Sequence, residues 1–301
     1  MISTVLSLER YKKLRVKYAT QIEDGMFDPN GFIEDMKPFF ADRERKYLAY
    51  TSEKNEIDNR PKPNTDIVKV NNKLHAGMYS IVVDQAVNHF TGIPIKWDYD
   101  VSEQKRTLIQ RLKDKFLKND IELPEAFNKL TSNLDSMRFA MLDSETATFQ
   151  GACGVAFRLL EPVEEDDGWK LRASNIEPWR AERYGNAGIY IKEKYDSYQK
   201  KFFQEMKVMT RNKILTYACY GDLNFVTSGT FKKIDETDNP LGTITLAEFK
   251  NNTNRYCDFE VAEEIGDAID RALSDQQNEI EQFKLAYMLV TGTTMSKDTA
   301  K

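Results

Sequence analysis

The chain has 301 residues, of which 30% are charged and 41% hydrophobic, and its formal net charge at pH 7 is −5. Charged residues exceed the average of soluble domains and hydrophobic residues fall below it, so we expect a lean core in an elongated or multimer-forming chain of one large or two smaller domains. The acidic balance argues against a basic surface that grips nucleic-acid phosphates, and any contact with DNA should therefore be loose.

The first 60 residues favour helices. Apolar residues recur at helical spacing within residues 1–20, and residues 34–54 form a second, charged stretch that is compatible with a helix. The motif DPNG at 28–31 predicts a turn between them. Residues 59–64 contain two prolines and no apolar residue, which predicts a linker and the first domain boundary. We expect the helical arm before that linker to pack on a neighbouring subunit instead of its own.

The centre of the chain favours helices first and strands later. Residues 71–90 have the pattern of a helix, residues 94–97 that of a short strand, and residues 102–117 and 134–149 those of two more helices. Apolar residues then alternate with polar ones, as in half-buried strands, in six segments: 154–160, 169–173, 187–195, 202–210, 214–220 and 243–249. Turn motifs separate these segments, so we predict an antiparallel meander in an α+β domain.

The last fifth of the chain predicts one long amphipathic helix. Asp258 is a suitable N-cap and Thr291-Gly292 a stop, so the helix would span about 30 residues and about 45 Å. Apolar or small residues recur at steps of three and four, with only Gln276 interrupting, and are Ala262, Ile265, Ile269, Ala272, Ile280, Phe283, Tyr287 and Val290. Acidic residues dominate the other positions, against only Arg271 and Lys284. Such a pattern most often marks a solvated surface helix, whereas an acidic rod with one narrow apolar seam also suits helices packed side by side between subunits.

Motifs that carry chemistry are scarce. His75 and His89 lie fourteen residues apart on one predicted helix, too far for a joint metal site. The GACG motif at 151–154 lacks the lysine and hydroxyl of a phosphate-binding loop, and instead predicts close backbone packing where a helix gives way to a strand. Acidic pairs are abundant, but their spacing predicts no convergence in a pocket. We predict no catalytic residue, cofactor or metal site, and a soluble α+β enzyme with an acidic site is the less favoured alternative.

The cysteines and the N-terminus indicate the compartment. Cys153, Cys219 and Cys257 are odd in number and lack paired spacing, which argues against a disulfide framework or a zinc motif. The N-terminal MISTVLSLERYKK becomes charged before any apolar core of signal-peptide length, and no run of 18 apolar residues occurs. We therefore expect an intracellular, soluble protein with no membrane partner.

Three blocks of sequence carry a resemblance. The first is LGTITLAEFKNNTNRYCDFE at 241–260, followed by the helical SDQQNEIEQFKLAYMLVTG at 274–292. The second is NNKLHAGMYSIVVDQAVNHFTGIPI at 71–95, with an I-V-D core and an F-x-G-x-P-I turn. The third and weaker block is GVAFRLL at 154–160, followed by an acidic turn and an I-x-P step. In their order and spacing along the chain, the blocks resemble the portal proteins of tailed bacteriophages, in the family of long-tailed phages of Gram-positive hosts, over most of residues 65–292.

The resemblance implies a virion protein that is not an enzyme. Portals of this family form a ring, usually dodecameric, at one capsid vertex, through which the viral genome is packaged and later ejected. The implied partners are other copies of this chain, double-stranded viral DNA that passes without sequence specificity, the terminase large subunit, head-completion or adaptor proteins, and the major capsid and scaffolding proteins. Assembly would take place in the host cytoplasm. A ring-forming virion connector that handles no DNA is the alternative.

The family's architecture divides the chain into four parts: a helical N-terminal arm (1–60), an α+β wing domain of helices and antiparallel strands (61–256), a long stem helix (257–291), and the start of a clip region or a truncated tail (292–301). Family members continue with a clip, a second stem helix, a tunnel loop and usually a crown. We therefore expect this sequence to be a truncated or partly covered chain, and a divergent short form is the alternative. The predicted fold class is α+β with ring-forming portal architecture.

In that family the stem helix frames the central channel. An acidic wall repels a polyanion, which keeps the duplex from sticking during translocation. The channel-lining candidates are Glu264, Asp267, Arg271, Asp275, Glu281 and Lys284, of which the two basic residues would serve transient phosphate contact or pairing between subunits. The residues expected to pack between neighbouring stems are Ile265, Ile269, Ala272, Ile280, Phe283 and Tyr287.

Overall fold

The computed structural model describes residues 8–62, 70–97, 123–165, 168–220 and 230–291, and it confirms a mixed α+β chain. The helices are α1 (Leu8–Glu23), α2 (Pro29–Tyr50), α3 (Met78–Thr91), α4 (Leu123–Ser136), α5 (Phe139–Cys153) and α6 (Glu263–Thr291). Short 3₁₀ helices occupy Glu56–Asn59 and Pro178–Arg180. The strands are β1 (Val155–Glu165), β2 (Gly168–Ile176), β3 (Ala181–Tyr184), β4 (Ala187–Asp196), β5 (Lys201–Met209), β6 (Lys213–Cys219), β7 (Lys232–Asp238) and β8 (Leu246–Lys250).

The strands form two sheets in which every neighbouring pair is antiparallel. One sheet has the order β2-β1-β8, so β1 pairs with its successor on one side and with the last strand on the other. The second sheet has the order β3-β4-β5-β6-β7 and is a sequential meander. The single meander predicted from the sequence is therefore wrong in its connectivity, although its antiparallel pairing is confirmed.

Helix α3 begins later than the sequence predicts. Residues 70–77 have no helical structure, and Gly77 precedes the helix with φ at +65°, in the left-handed region that favours glycine. The predicted helix over residues 71–90 is therefore correct only from Met78 onward.

Two further predicted elements differ from the structure. Residues 94–97 have no regular secondary structure where a strand is expected. Arg138, with φ at +54°, separates α4 from α5, so the single helix predicted at 134–149 is the junction of two helices. The helix predicted at 102–117 lies outside the described residues.

One core joins the N-terminal helices to the five-stranded sheet. Tyr18 in α1 and Phe32 in α2 are completely buried, and both rings contact the ring of Tyr184 in β3, at centroid distances of 6.4 and 6.2 Å. The same core includes Ile189, Ile191, Met206 and Val208. The expectation that the arm packs on a neighbouring subunit is therefore wrong for α1 and α2, because their apolar faces are buried against their own sheet.

A buried ionic cluster fastens α2 to β3. Arg43 donates through Nη2 to Glu182 Oε2 at 2.9 Å and through Nη1 to Pro178 O at 2.9 Å, while the Tyr11 hydroxyl donates to Glu182 Oε1 at 2.5 Å. Burial disfavours the Glu182 carboxylate, but the charge of Arg43, followed by that of Arg255, outweighs this effect and holds the pKa of Glu182 below its ordinary value. Glu182 is therefore ionised inside the core.

The GACG motif lies where the end of α5 closely approaches the segment that contains Arg255 and Asp258. Gly154 follows α5 with φ at +78°, and a Cβ on it would overlap the carbonyl oxygen of Arg255. A Cβ on Gly151 would lie 2.8 Å from Asp258 Oδ2. The Gly154 carbonyl accepts a hydrogen bond from Asn251 N–H at 3.0 Å. The predicted close backbone packing at a helix-to-strand junction is thus confirmed.

Candidate functional site on the C-terminal helix

Helix α6 begins five residues later than predicted. The expected N-cap, Asp258, is held by the preceding turn: its carboxylate accepts from Asn251 Nδ2 at 2.7 Å, and its N–H donates to Gly151 O at 2.8 Å. The first turn of α6 instead carries Glu263 and Glu264, whose charges suit the positive end of the helix dipole. With 29 residues, α6 is about 43 Å long.

Residues 70–77, which we call the strap, run antiparallel to α6. Three backbone N–H groups of the strap, two residues apart, donate to three side chains of α6 that are four residues apart. The pairs are Asn72 to Asn278 Oδ1 (2.7 Å), Leu74 to Ser274 Oγ (2.9 Å) and Ala76 to Asp270 Oδ1 (2.7 Å). We call these three hydrogen bonds the ladder. They satisfy backbone donors that a helix or sheet would otherwise satisfy.

The ladder buries a polar stripe of α6. Asp270 is 3% exposed, Ser274 0% and Asn278 7%. Asp270 also accepts from Asn55 Nδ2 at 3.0 Å, so its carboxylate contacts both the strap and the segment after α2. The sequence contains this stripe as D-x3-S-x3-N. Polar stripes on helices ordinarily face solvent, however, so the spacing alone does not reveal a packing face.

Tyr79 fixes the N-terminal end of α6. Its ring packs over Gly266, where a Cβ would lie 2.6 Å from the nearest ring atom. The Tyr79 hydroxyl lies 2.8 Å from Glu263 O and 2.7 Å from Asp267 Oδ1, and the ring stands 4.6 Å from that of Phe259. Glycine at position 266 is therefore what allows α3 and α6 to approach each other this closely.

Asp270 is expected to be the most important residue of the ladder. Replacing it with alanine should lower the free energy of unfolding by about 2–3 kcal/mol, because the Ala76 N–H and the Asn55 amide lose their charged acceptor. Chemical denaturation followed by circular dichroism measures the change. Glu279→Ala, at an exposed acid of the same helix, is the control and should change stability by less than about 0.5 kcal/mol. Equal losses in both variants would contradict a stabilising ladder.

The apolar residues of α6 lie on the side away from the ladder, since successive residues of a helix are about 100° apart. Ile265 and Phe283 are each 63% exposed and Ile280 is 44% exposed. Ala272 is also exposed, and Ile269 is half-buried. These five residues form what we call the apolar seam; the side chain of Tyr287, predicted to belong with them, lies outside the description. Within the described chain, α6 thus uses a polar face for its own subunit and leaves an apolar face uncovered.

The six channel-lining candidates fall into two groups. Glu264, Arg271 and Lys284 are exposed. The other three contact their own chain: Asp267 accepts from the Tyr79 hydroxyl, Asp275 forms an ion pair with Arg60, and Glu281 accepts from Gln277 Nε2 at 3.2 Å.

The three cysteines and His75 have structural surroundings and, among the described residues, show no catalytic arrangement. Burial raises the pKa of the Cys153 thiol to about 12 and also raises that of Cys219 and Cys257, so all three thiols stay protonated and weakly nucleophilic at neutral pH. His75 contacts Ser52 and Asp58, whereas His89 is exposed. Over the described ranges, no group of three or more His, Cys, Asp or Glu side chains is arranged to hold a metal ion.

Comparison with protein families decides between these interpretations. The family described as phage portal protein, SPP1 Gp6-like, matches residues 40–301, which include the second half of α2 and everything from α3 to α6. The chain belongs to this phage portal protein family. The predicted recognition of a tailed-phage portal is therefore confirmed, while the host range stays a prediction. Comparison with curated proteins finds no significant match for this portal chain.

Membership in the portal family establishes the general role of the protein. The family is structural and not enzymatic, and it belongs to the capsid vertex of the virion. Portals form oligomeric rings and interact in general with capsid and packaging proteins. In the part of this portal that the structure describes, no helix is both long and apolar enough to cross a membrane.

Proposed function

We propose that this portal chain assembles into a homo-oligomeric ring of about twelve subunits that forms the channel for genome packaging and ejection. The match to the portal family over residues 40–301 carries the proposal. The proposal extends to the terminase large subunit, head-completion or adaptor proteins, and the major capsid and scaffolding proteins as partners, on grounds of family membership. We also propose assembly in the host cytoplasm.

The apolar seam supports side-by-side packing of α6 between subunits. Fully burying an exposed isoleucine or phenylalanine side chain gains about 1.5–3 kcal/mol. The side chains of the seam are about half exposed, so each would contribute roughly half of that free energy to a subunit boundary. The own-subunit face of α6 is already occupied by the strap. A neighbouring α6 can therefore cover the seam without disturbing the fold of the subunit.

Glu264 and Arg271 are our preferred channel-facing residues. Both residues are exposed. The spacing of about 100° per residue places them on the side of α6 between the ladder and the apolar seam, which faces neither the strap nor the neighbouring helix that would cover the seam. Asp275 lies on the same side and is partly neutralised by Arg60. We propose that Asp267 anchors α6 through Tyr79 instead of lining the channel. By the same spacing, Glu281 lies on the ladder side of α6 and Lys284 on the flank opposite Glu264, so we do not propose these two residues for the same channel wall.

Assembly tests the ring directly. We expect native mass spectrometry and negative-stain images of the full-length protein at micromolar concentration to show rings of about a dozen subunits with a central hole. Phe283→Asp, which places a charge in the apolar seam, should shift the population towards smaller species, because an unpaired charge is costly to bury. A wild-type protein that remains a monomer or dimer would overturn the proposal.

Charge reversal tests the channel. Glu264→Lys changes the charge of the proposed wall by two units in every subunit, so the wall should attract the duplex and slow DNA packaging severalfold. In vitro packaging with purified components measures the rate. Glu193→Lys, at an exposed acid of β4, is the matched control and should leave the rate unchanged. Unchanged packaging by intact Glu264→Lys rings would remove Glu264 from the channel, whereas intact wild-type rings that support no packaging would favour a connector that handles no DNA.

A further inference from the structure

The strap has two sets of attachments, one to each side. His75 Nδ1 lies 2.8 Å from Ser52 O, just after α2, and its Nε2 lies 3.1 Å from Asp58 Oδ1 in the first 3₁₀ helix. Lys73 also reaches this 3₁₀ helix, where its Nζ donates to Asp58 O. Odd-numbered side chains of the strap therefore hold the body of the subunit, while even-numbered N–H groups hold α6 through the ladder.

Both ring nitrogens of His75 face oxygen atoms that accept hydrogen bonds. A neutral imidazole donates through one nitrogen only and would turn the lone pair of the other towards an acceptor, whereas the imidazolium donates through both. Asp58 and Asp270 are the acids that act on the ring, and Lys73 is a base that acts on Asp58. Partial burial opposes the charged form, but the hydrogen bonds to Ser52 and Asp58 outweigh it and raise the pKa of His75.

We propose that the strap is a proton-sensitive latch: protonated His75 holds the strap in place for the ladder, and loss of that proton weakens the attachment of the strap to the body of the subunit and so loosens α6. On deprotonation, the attraction between His75 and Asp58 disappears and one ring nitrogen meets an acceptor. Tyr79 still packs on Gly266. Helix α6 thus gains freedom along the ladder while its N-terminal end stays attached.

The pH range of the latch follows from its two titrating groups. Because the pKa of His75 is raised on folding, its stabilising contribution is complete below the ordinary histidine value of about 6.5 and is lost as pH rises through the folded value. Burial opposes the Asp58 carboxylate, but hydrogen bonds from Asn55 N–H and His75 outweigh this and lower its pKa. The contribution of Asp58 is therefore lost only in acid. The latch is closed between these limits and opens on the alkaline side.

Hydrogen exchange on the full-length protein tests the latch. Mass spectrometry of peptides from the strap, at a series of pH values from about 6 to 9, gives the protection of the ladder amides after correction for intrinsic exchange. We expect protection to fall as His75 loses its proton, about tenfold for each unit by which its pKa is raised. Exchange of the imidazole Cε1 hydrogen reports the titration of His75 and His89 separately, and these are the two histidines of the chain.

Three variants make the result specific. His75→Gln should abolish the pH step in the protection of the ladder amides, whether their protection is then high or low at all pH values. His89→Gln, at an exposed position of α3, should keep the step. Asp58→Asn should move both the His75 titration and the step to lower pH. The latch is wrong if His75→Gln keeps the wild-type step, or if wild-type protection stays constant while His75 titrates.

Discussion

Replacing Arg43 with alanine is expected to lower the free energy of unfolding by about 3–5 kcal/mol, which is the usual loss when one partner of a buried ion pair is removed. The Arg43 side chain is 8% exposed and that of Glu182 is 0% exposed, so Glu182 would be left as a buried charge without its main partner. Denaturant titration followed by circular dichroism measures the loss. Arg45→Ala, two residues along α2, removes an arginine whose ion pairs are solvent-exposed and should change stability by about 1 kcal/mol or less.

The pH dependence of this loss separates the lost ion pair from lost packing. In the wild type, the pKa of Glu182 is lowered, so its contribution is present at neutral pH and disappears as pH falls through the folded value. Without Arg43, Glu182 is expected to take up a proton more readily. The difference between Arg43→Ala and wild type should therefore shrink in acid. A loss of less than about 1 kcal/mol, or one that is equal at neutral and acid pH, would contradict the assigned role.

Gly154→Ala is the second substitution with a large expected effect, about 2–5 kcal/mol. An alanine there adopts a left-handed conformation at φ +78° and also places its Cβ against the Arg255 carbonyl, so strain and overlap add. Gly185→Ala is the control, because a Cβ at that position meets no atom within 4 Å. Both variants are compared by denaturant midpoint. Similar midpoints for the two would show that the turn after β8 moves away from α5 at little cost.

Elements with a regular apolar pattern are the predictable part of this fold. The sequence locates strands β4, β5 and β6 within one residue from the alternation of apolar and polar residues, although each strand has a run of three or more consecutive buried residues. Strand β3 escapes prediction because it has four residues, and β7 because KKIDETD contains one apolar residue and is exposed throughout. Pairing of β1 with β8 joins segments about ninety residues apart, a contact that local patterns do not encode.

The candidate site is predictable on one side of α6 and not on the other. The apolar seam follows from helical spacing alone. The ladder does not, because its donors and acceptors are about 200 residues apart and its acceptors are short polar side chains that ordinarily face water.

The N-terminal arm shows the same limit. Tyr11, Leu14, Tyr18 and Ile22 mark the buried face of α1, but a helical pattern does not tell which surface, in the same subunit or another, covers that face.

The ladder sets a limit on its own length. Two residues of a fully extended chain advance about 6.6 Å, whereas four residues of an α-helix advance about 6.0 Å and turn about 40° past a full circle. Each further rung therefore adds an offset of about 0.6 Å along the axis and a sideways step around it, so the strap must contract slightly and wind around α6 to stay in register. The strap and the helix therefore stay in register over only a few hydrogen bonds. The part of α6 after Asn278 extends beyond the last hydrogen bond of the ladder.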